Sequence, residues 1–330
     1  MKFSVVITTY NRLNLLRRAI NSVLNQTIPC EVVVADDCSS DETEAYIKSL
    51  GNSVIYHRNE VNKGHAATVN AGIEKASGDW IKFLDDDDYL APNCLEEMAK
   101  AISLHPSAVM CSCIAAQVDS NEEELSRTTQ FGPELAYYIP QVDIHYGMLL
   151  ELVPFGTPVQ VACCRHSFLQ TGGWDSKLDA NCDDIDSWIR IARFGDAIFL
   201  NQSLAYRTIW PGAYNQKFSL LKRLETNILM KEKIYALVDQ KHRSHLPKFE
   251  DTKNYVRLHW SFVALKQGQL KLFLTMVYPA IFSPVAWWLL LVAVLSRRLN
   301  RPNAHLQKFV LINTDLALDM VTEVWDGGKA

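Results

Sequence analysis

The strongest constraint on this chain is an alternation. Over the first 200 residues, short runs rich in β-branched residues take turns with stretches of helical spacing. Phe3 to Thr8 reads as a strand buried on both faces, since it lacks the polar alternation of a half-exposed one. Leu13 to Leu24 carries apolar residues at helical spacing. Strands are expected again over Glu31–Ala35, Val54–His57, Trp80–Leu84 and Ala108–Ala116. Helices fall between them, over Asp41–Leu50 with Ser39, Ser40 or Asp41 as cap, over Ala66–Ala76, and from Pro92 to about Leu104. Gly78 ends the third helix and Pro92 suits the start of the fourth. This pattern implies an α/β fold, a doubly wound and mainly parallel sheet with helices on both faces. Ligands of such sheets bind beyond the carboxyl ends of the strands. That rule puts Thr8 to Arg12, Asp36-Asp37 and Asp85 to Asp88 on one rim. Residues 119–158 are less regular and can hold loops over that rim, after which Val159–Cys164 resumes a strand and Ile185–Phe194 a helix.

Charge excludes one function class. The chain has 33 Lys+Arg against 37 Asp+Glu, a net charge of −4. A general nucleic-acid binder needs a basic footprint, so no nucleic-acid partner is expected. The eight cysteines form no C-x-x-C and no zinc-ribbon spacing. Cys111, Cys113, Cys163 and Cys164 lie in apolar runs and read as reduced, buried thiols. The opening apolar run stops at Ile7, too early for a signal peptide, so the bulk of the chain is expected in the cytosol.

Three acidic clusters carry the candidate chemistry. Leu84-Asp85-Asp86-Asp87-Asp88 follows an apolar strand. Adjacent carboxylates repel one another, and a hard cation such as Mg²⁺ or Mn²⁺ relieves that repulsion while leaving positions open for phosphate oxygens. The alternative is a solvated acidic turn. Asp36-Asp37, at the end of the second strand, can accept from a nucleobase N–H or a ribose hydroxyl, or simply cap the next helix. Cys182-Asp183-Asp184-Ile185-Asp186 opens a helical run. A carboxylate there can act as a general base, with its pKa raised by its like-charged neighbours, or it can only stabilise the helix N-terminus. His65, beside Gly64, can approach a phosphate or stand as a solvated loop histidine. His145, His166 and His259 lack paired spacing and read as structural.

In this order the segments resemble an inverting family 2 glycosyltransferase of the GT-A fold, over about residues 1 to 210. Phe3 to Arg12 resembles the family's opening strand and nucleotide loop, and Asp36-Asp37-Cys38-Ser39-Ser40-Asp41-Glu42-Thr43 its base-binding turn. Asn62-Lys63-Gly64 and Asn70-Ala71-Gly72-Ile73 resemble its glycine-bearing loop and helix. Asp85 to Asp88 resembles the D-x-D metal motif. Gly172-Gly173-Trp174-Asp175, followed by Asp183-Asp184-Ile185-Asp186-Ser187-Trp188, resembles the acceptor-side motif. The resemblance implies that Thr8, Tyr10 and Asp37 hold the nucleotide base. Asp85 would help hold the ribose and metal site, Asp87 would ligate Mg²⁺ or Mn²⁺, and Asp184 would be the general base. The implied donor is a nucleotide-sugar, UDP-linked, and the acceptor a hydroxyl of a glycan or lipid-linked glycan. Three departures stand out. Val69 replaces the Arg that many members carry before the Asn, Asp183-Asp184 replaces a Glu-Asp pair, and no Q-x-x-R-W follows. The last favours a single transfer over processive synthesis. Val69 keeps a non-catalytic scaffold of a glycan assembly complex in play. A nucleotidyltransferase fits less well, because no glycine-rich basic loop follows the first strand.

The last third has a different character. Residues 217–271 hold 12 Lys+Arg and 5 Asp+Glu, a local charge of +7, and Leu272 to Ser296 then runs 25 residues without a charge. That length can cross a bilayer, but Pro279 and Pro284 interrupt it and basic residues flank both sides. The expected division is a catalytic domain over 1–215 and a helical region over 216–330 with its hydrophobic segment at 272–296. Peripheral or monotopic attachment to the cytoplasmic face of a membrane fits this pattern. One true span and a buried oligomer contact are the other readings.

Overall fold

The computed structural model describes residues 1–130, 134–153, 155–178, 182–210, 218–244 and 246–299. The expected boundary at 215/216 and Arg301 lie outside them. Contacts divide the chain into two units, Met1–Gln141 with Val153–Tyr214, and Val142–Leu152 with the residues from Asn215 onward.

The first unit is built on β1 (Phe3–Thr9), every residue of which is buried. β2 (Glu31–Asp36) and β4 (Trp80–Asp85) flank it in parallel, and β3 (Ile55–Arg58) adds to the outer side of β2. Helices α1 (Leu13–Leu24), α2 (Thr43–Ser49) and α3 (His65–Lys75) make the crossovers. In α1 the buried residues are Leu16, Ala19, Ile20 and Val23, one stripe facing the sheet. After β4 come the two-residue β5 (Tyr89–Leu90), α4 (Cys94–Leu104), β6 (Ala108–Val118), β7 (Glu124–Arg127) and β8 (Ala136–Ile139). α5 (Gln141–Leu149), β9 (Val161–Cys164), α6 (Arg165–Gln170), α7 (Asp183–Ile191) and the long β10 (Asp196–Thr208) follow. The strand order is β3-β2-β1-β4-β9-β6-β10-β5, with β7 on β6 and β8 on β10. The long ladders β1·β2, β1·β4 and β6·β10 are parallel, whereas β9 runs antiparallel between β4 and β6. The sheet is therefore mixed and mostly parallel. The irregular stretch 119–158 contains β7, β8 and α5 rather than loops alone.

The core contains one expensive residue. Lys82 lies on β4, fully buried, and its ammonium is held by the carbonyls of Val159, Val161 and Phe83. Burial disfavours its charge and lowers its pKa.

The second unit is helical, with α8 (Leu220–Leu237), α9 (Gln240–Arg243), α10 (Phe249–Lys266), α11 (Leu270–Val277) and α12 (Pro284–Leu299) joining α5. Leu220 and Leu224 of α8 meet Val256 and Ala264 of α10 and Met276 of α11. Leu258, Val277, Ala280 and Ala286 close the contact between α10 and the α11–α12 pair. The buried Lys231 ammonium donates to the Leu149 carbonyl at 2.6 Å, and His242 Nε2 lies 2.6 Å from Asp143 Oδ1. The hydrophobic segment is broken at Tyr278–Ala280, a single 3₁₀ turn placed by Pro279. Among the described residues no helix is long and apolar enough to cross a membrane.

Candidate active site

The carboxyl ends of β1, β2, β4 and β10 converge on the aspartate run. Asp85 ends β4, and its Oδ1 accepts from Thr8 Oγ1 at 3.1 Å and pairs with His65 Nε2 at 2.9 Å. Asp86 turns inward. Its Oδ2 accepts from Thr9 Oγ1 at 2.8 Å and from the Tyr10 N–H at 3.3 Å, and its Oδ1 meets Arg12 Nη1 at 3.2 Å. Asp87 receives Arg12 Nη1 at 3.2 Å and Trp210 Nε1 at 2.9 Å, both on Oδ2. Asp88 Oδ1 accepts the Thr208 N–H at 2.9 Å. Arg18 Nη2 donates to the Asp87 carbonyl and to Thr208 Oγ1, each at 2.6 Å, which ties the turn to β10.

Carboxylate oxygens of Asp85, Asp87 and Asp88 lie within 4.8 Å of one another. Burial, then repulsion by Asp87 and Asp85, drives the Asp88 pKa well above the usual carboxylate range. Burial and Asp85 raise that of Asp87. Burial with Asp87 pushes Asp86 up to about 7. Three hard oxygen donors crowded against their own charge fit Mg²⁺ or Mn²⁺. The acidic run is thus a partly buried cluster, not a solvated turn.

The acceptor-side segment closes on the same rim. Asn70 of α3 clamps the Trp174 backbone from both sides, with Oδ1 accepting the Trp174 N–H at 2.8 Å and Nδ2 donating to the Trp174 carbonyl at 2.9 Å. Trp174, Trp188 and Phe83 pack ring on ring, with centroids 5.1 to 6.0 Å apart. The His65 ring stands edge-on to Trp174 at 5.3 Å. Its Nδ1 lies 3.3 Å from Asp183 Oδ2, while its Nε2 holds Asp85. One imidazole therefore bridges the two acidic clusters. Burial alone would lower the His65 pKa, but Asp85 and Asp183 overcome it and raise it well above the usual imidazole range. Burial and the Asp183 charge push Asp184 up to about 7, against the Ile185 N–H that donates to its Oδ1 at 2.7 Å. Cys182, in the left-handed region at φ 71°, precedes α7 and offers no side-chain cap.

The expected base-binding residues divide. Tyr10 is 47% exposed. Thr8 is buried against Asp85. Asp37 is buried, and it accepts from Asn59 Nδ2, the Lys63 N–H and the Gly64 N–H at 2.7 to 2.9 Å. Its carboxylate shapes the loop that leads into α3. Sequence reasoning left His65 between two readings and did not single out Asp88, Trp210 or the pairing of Arg12 with the aspartates. Arg12 also lies over the Trp210 ring at 4.8 Å. The adjacency of His65 to Gly64 was the one available signal.

The family profile for glycosyl transferase family 2 matches residues 4–168. The chain belongs to that family. The fold agrees, since a structure of Staphylococcus aureus TarS in complex with UDP-GlcNAc superposes with a TM-score of 0.59 at 18% identity, covering 92% of this chain and 93% of that one. The mannosyltransferase PcManGT of Pyrobaculum calidifontis, in complex with GDP-Man and Mn²⁺, gives 0.57 at 18% identity over 98% and 87%. Both are GT-A neighbours in fold. The GalNAc(5)-diNAcBac-PP-undecaprenol β-1,3-glucosyltransferase of Campylobacter jejuni is 33% identical over 130 residues, 38% of this chain and 42% of that enzyme. Among the curated relatives, the share of the relative's length that is matched runs from 20% to 70%.

Proposed function

We propose that this family member is a metal-dependent, inverting glycosyltransferase. It moves one sugar from a UDP-linked donor to a hydroxyl of a glycan or lipid-linked glycan, in polysaccharide or glycolipid biosynthesis. The observation that carries the reading is the His65 bridge, which sets a hard-cation donor set and a carboxylate of pKa about 7 on one rim.

The side chains divide the work. Tyr10 offers its exposed ring to the base. Asp85, Asp87 and Asp88 would hold Mg²⁺ or Mn²⁺, which neutralises charge on the departing diphosphate. Asp184 accepts the proton of the acceptor hydroxyl as that oxygen attacks the anomeric carbon. Attack from the face opposite the leaving group inverts the centre in one displacement. Val69 is buried in α3, one turn after His65.

Residues 1–215 form the donor-binding and catalytic part in this reading, and 216–330 the part that keeps the protein at the cytoplasmic face of a membrane, peripheral or monotopic. The name of the Campylobacter relative, with its undecaprenol-linked acceptor, supports a lipid-linked acceptor.

The test is a panel of UDP-, GDP- and dTDP-sugars with and without Mn²⁺, read as nucleoside diphosphate release. Release from one donor is expected, and Asp87→Ala should lower it by roughly 10²–10³-fold with an unchanged circular dichroism spectrum. Full activity in that variant would remove Asp87 from the metal site.

A further inference from the structure

We propose that α11, the turn after it and α12 present a monotopic insertion surface for an anionic phospholipid bilayer. The inference rests on the reading that the acceptor is lipid-linked, and it names the face that meets the lipid. Leu270 and Leu274 on α11 and Tyr278 at its C-cap recur every four residues, one stripe. All three are exposed, Tyr278 by 75%. Phe282, in the turn, is 89% exposed, and Trp288 on α12 is 63% exposed. Exposed large apolar side chains gathered on adjoining elements mark an interaction site.

Residue type and charge identify the occupant. Tyr and Trp at the margin of an apolar face are the side chains that settle at headgroup level. From Thr252 to Ser296 the sequence has no Asp or Glu, and of its four Lys or Arg, Lys253 and Arg257 pair with Glu250. Lys266 and Lys271 are exposed beside the stripe, with no acid in this stretch to pair with. A contact between two copies of this surface would set like charges against each other, whereas an anionic bilayer rewards every one of them. A shallow, open depression of about 600 Å³ adjoins the stripe, lined by Gly268, Gln269, Leu270, Lys271, Leu272 and Thr275. Because α11 has only eight residues and a 3₁₀ turn breaks the chain after it, the surface lies in the interface rather than crossing it.

The experiment uses the purified full-length protein with vesicles of phosphatidylcholine, alone or mixed with phosphatidylglycerol. Cosedimentation with the mixed vesicles and a blue shift of tryptophan emission are expected. Replacing two exposed aromatics, in the double variant Phe282→Ser with Trp288→Ser, should lower the partition coefficient by about tenfold or more. Lys266→Gln and Lys271→Gln should each cost about fivefold on mixed vesicles and little on neutral ones. Equal partition by wild type and the serine variant overturns the proposal. So does a wild-type dimer that ignores vesicles and becomes monomeric in that variant, since a second copy is then the occupant. UDP binding with Mn²⁺, measured by calorimetry, separates the two readings. Vesicle binding that persists without nucleotide binding supports the surface and removes the donor assignment.

Discussion

In its proposed role of general base, Asp184 must be empty when the acceptor arrives, so pH decides its readiness. Burial and the Asp183 charge raise its pKa to about 7, so below that pH most molecules hold a proton there. The rate should rise about tenfold per pH unit up to pH 7 and level off above it, measured as kcat/KM with saturating Mn²⁺. Asp184→Asn removes the base and should cost on the order of 10²–10⁴-fold at every pH. His65 makes a sharper prediction. Its positive charge lowers the Asp184 pKa, and its nitrogens hold Asp85 and Asp183. His65→Ala should therefore lower kcat/KM by about tenfold to a hundredfold, the range for losing hydrogen bonds to charged groups. It should also move the midpoint of the pH profile upward. A purely structural histidine would lower the rate without moving that midpoint.

At the scale of elements, the site depends on where α3 meets the 172–175 turn. Gly173 sits at φ 83°, and a Cβ there would come 2.6 Å from Asn70 Oδ1, the atom that accepts the Trp174 N–H. Gly173→Ala thus combines left-handed strain with a clash at the clamp. It should destabilise the protein by about 1–3 kcal/mol, read as a lower denaturant midpoint, while Gly172→Ala meets open space and pays the strain alone. The strands around this joint were legible because β1, β2 and β4 are buried apolar runs that periodicity reports directly. Their neighbours were not. β9 inserts antiparallel between β4 and β6, and strand order depends on long-range packing that no local pattern carries. The aspartate run was legible as a cluster, but not the division of labour inside it. Asp86 turns toward Thr9 and Arg12, and Asp88 joins Asp85 and Asp87. Thr8 and Asp37, which the resemblance assigns to the base, also carry internal hydrogen bonds, Thr8 to Asp85 and Asp37 to Asn59, Lys63 and Gly64. Such contacts arise only on folding, and no local pattern reports them.

At the scale of the whole molecule, the crowded carboxylates make stability respond to ligand. Asp86, Asp87 and Asp88 all have raised pKa values because burial and mutual repulsion oppose their charge. On the proposed reading a divalent cation would answer that repulsion and a nucleoside diphosphate would bind with it. Neither would find an assembled site in the unfolded chain, so by mass action both should raise the unfolding free energy. At a ligand concentration of about 100 Kd the gain is about 2.7 kcal/mol. For a unit of about 200 residues this corresponds to a rise in Tm of roughly 5–10 °C. UDP with Mn²⁺ should therefore raise the calorimetric midpoint, and excess chelator should reverse the rise. Asp87→Ala should abolish most of it. Asp184→Asn should retain it, because Asp184 takes no part in holding the cation in this assignment. Equal shifts in the Asp87 variant and the wild type would mean that the nucleotide and metal bind somewhere other than the end of β4.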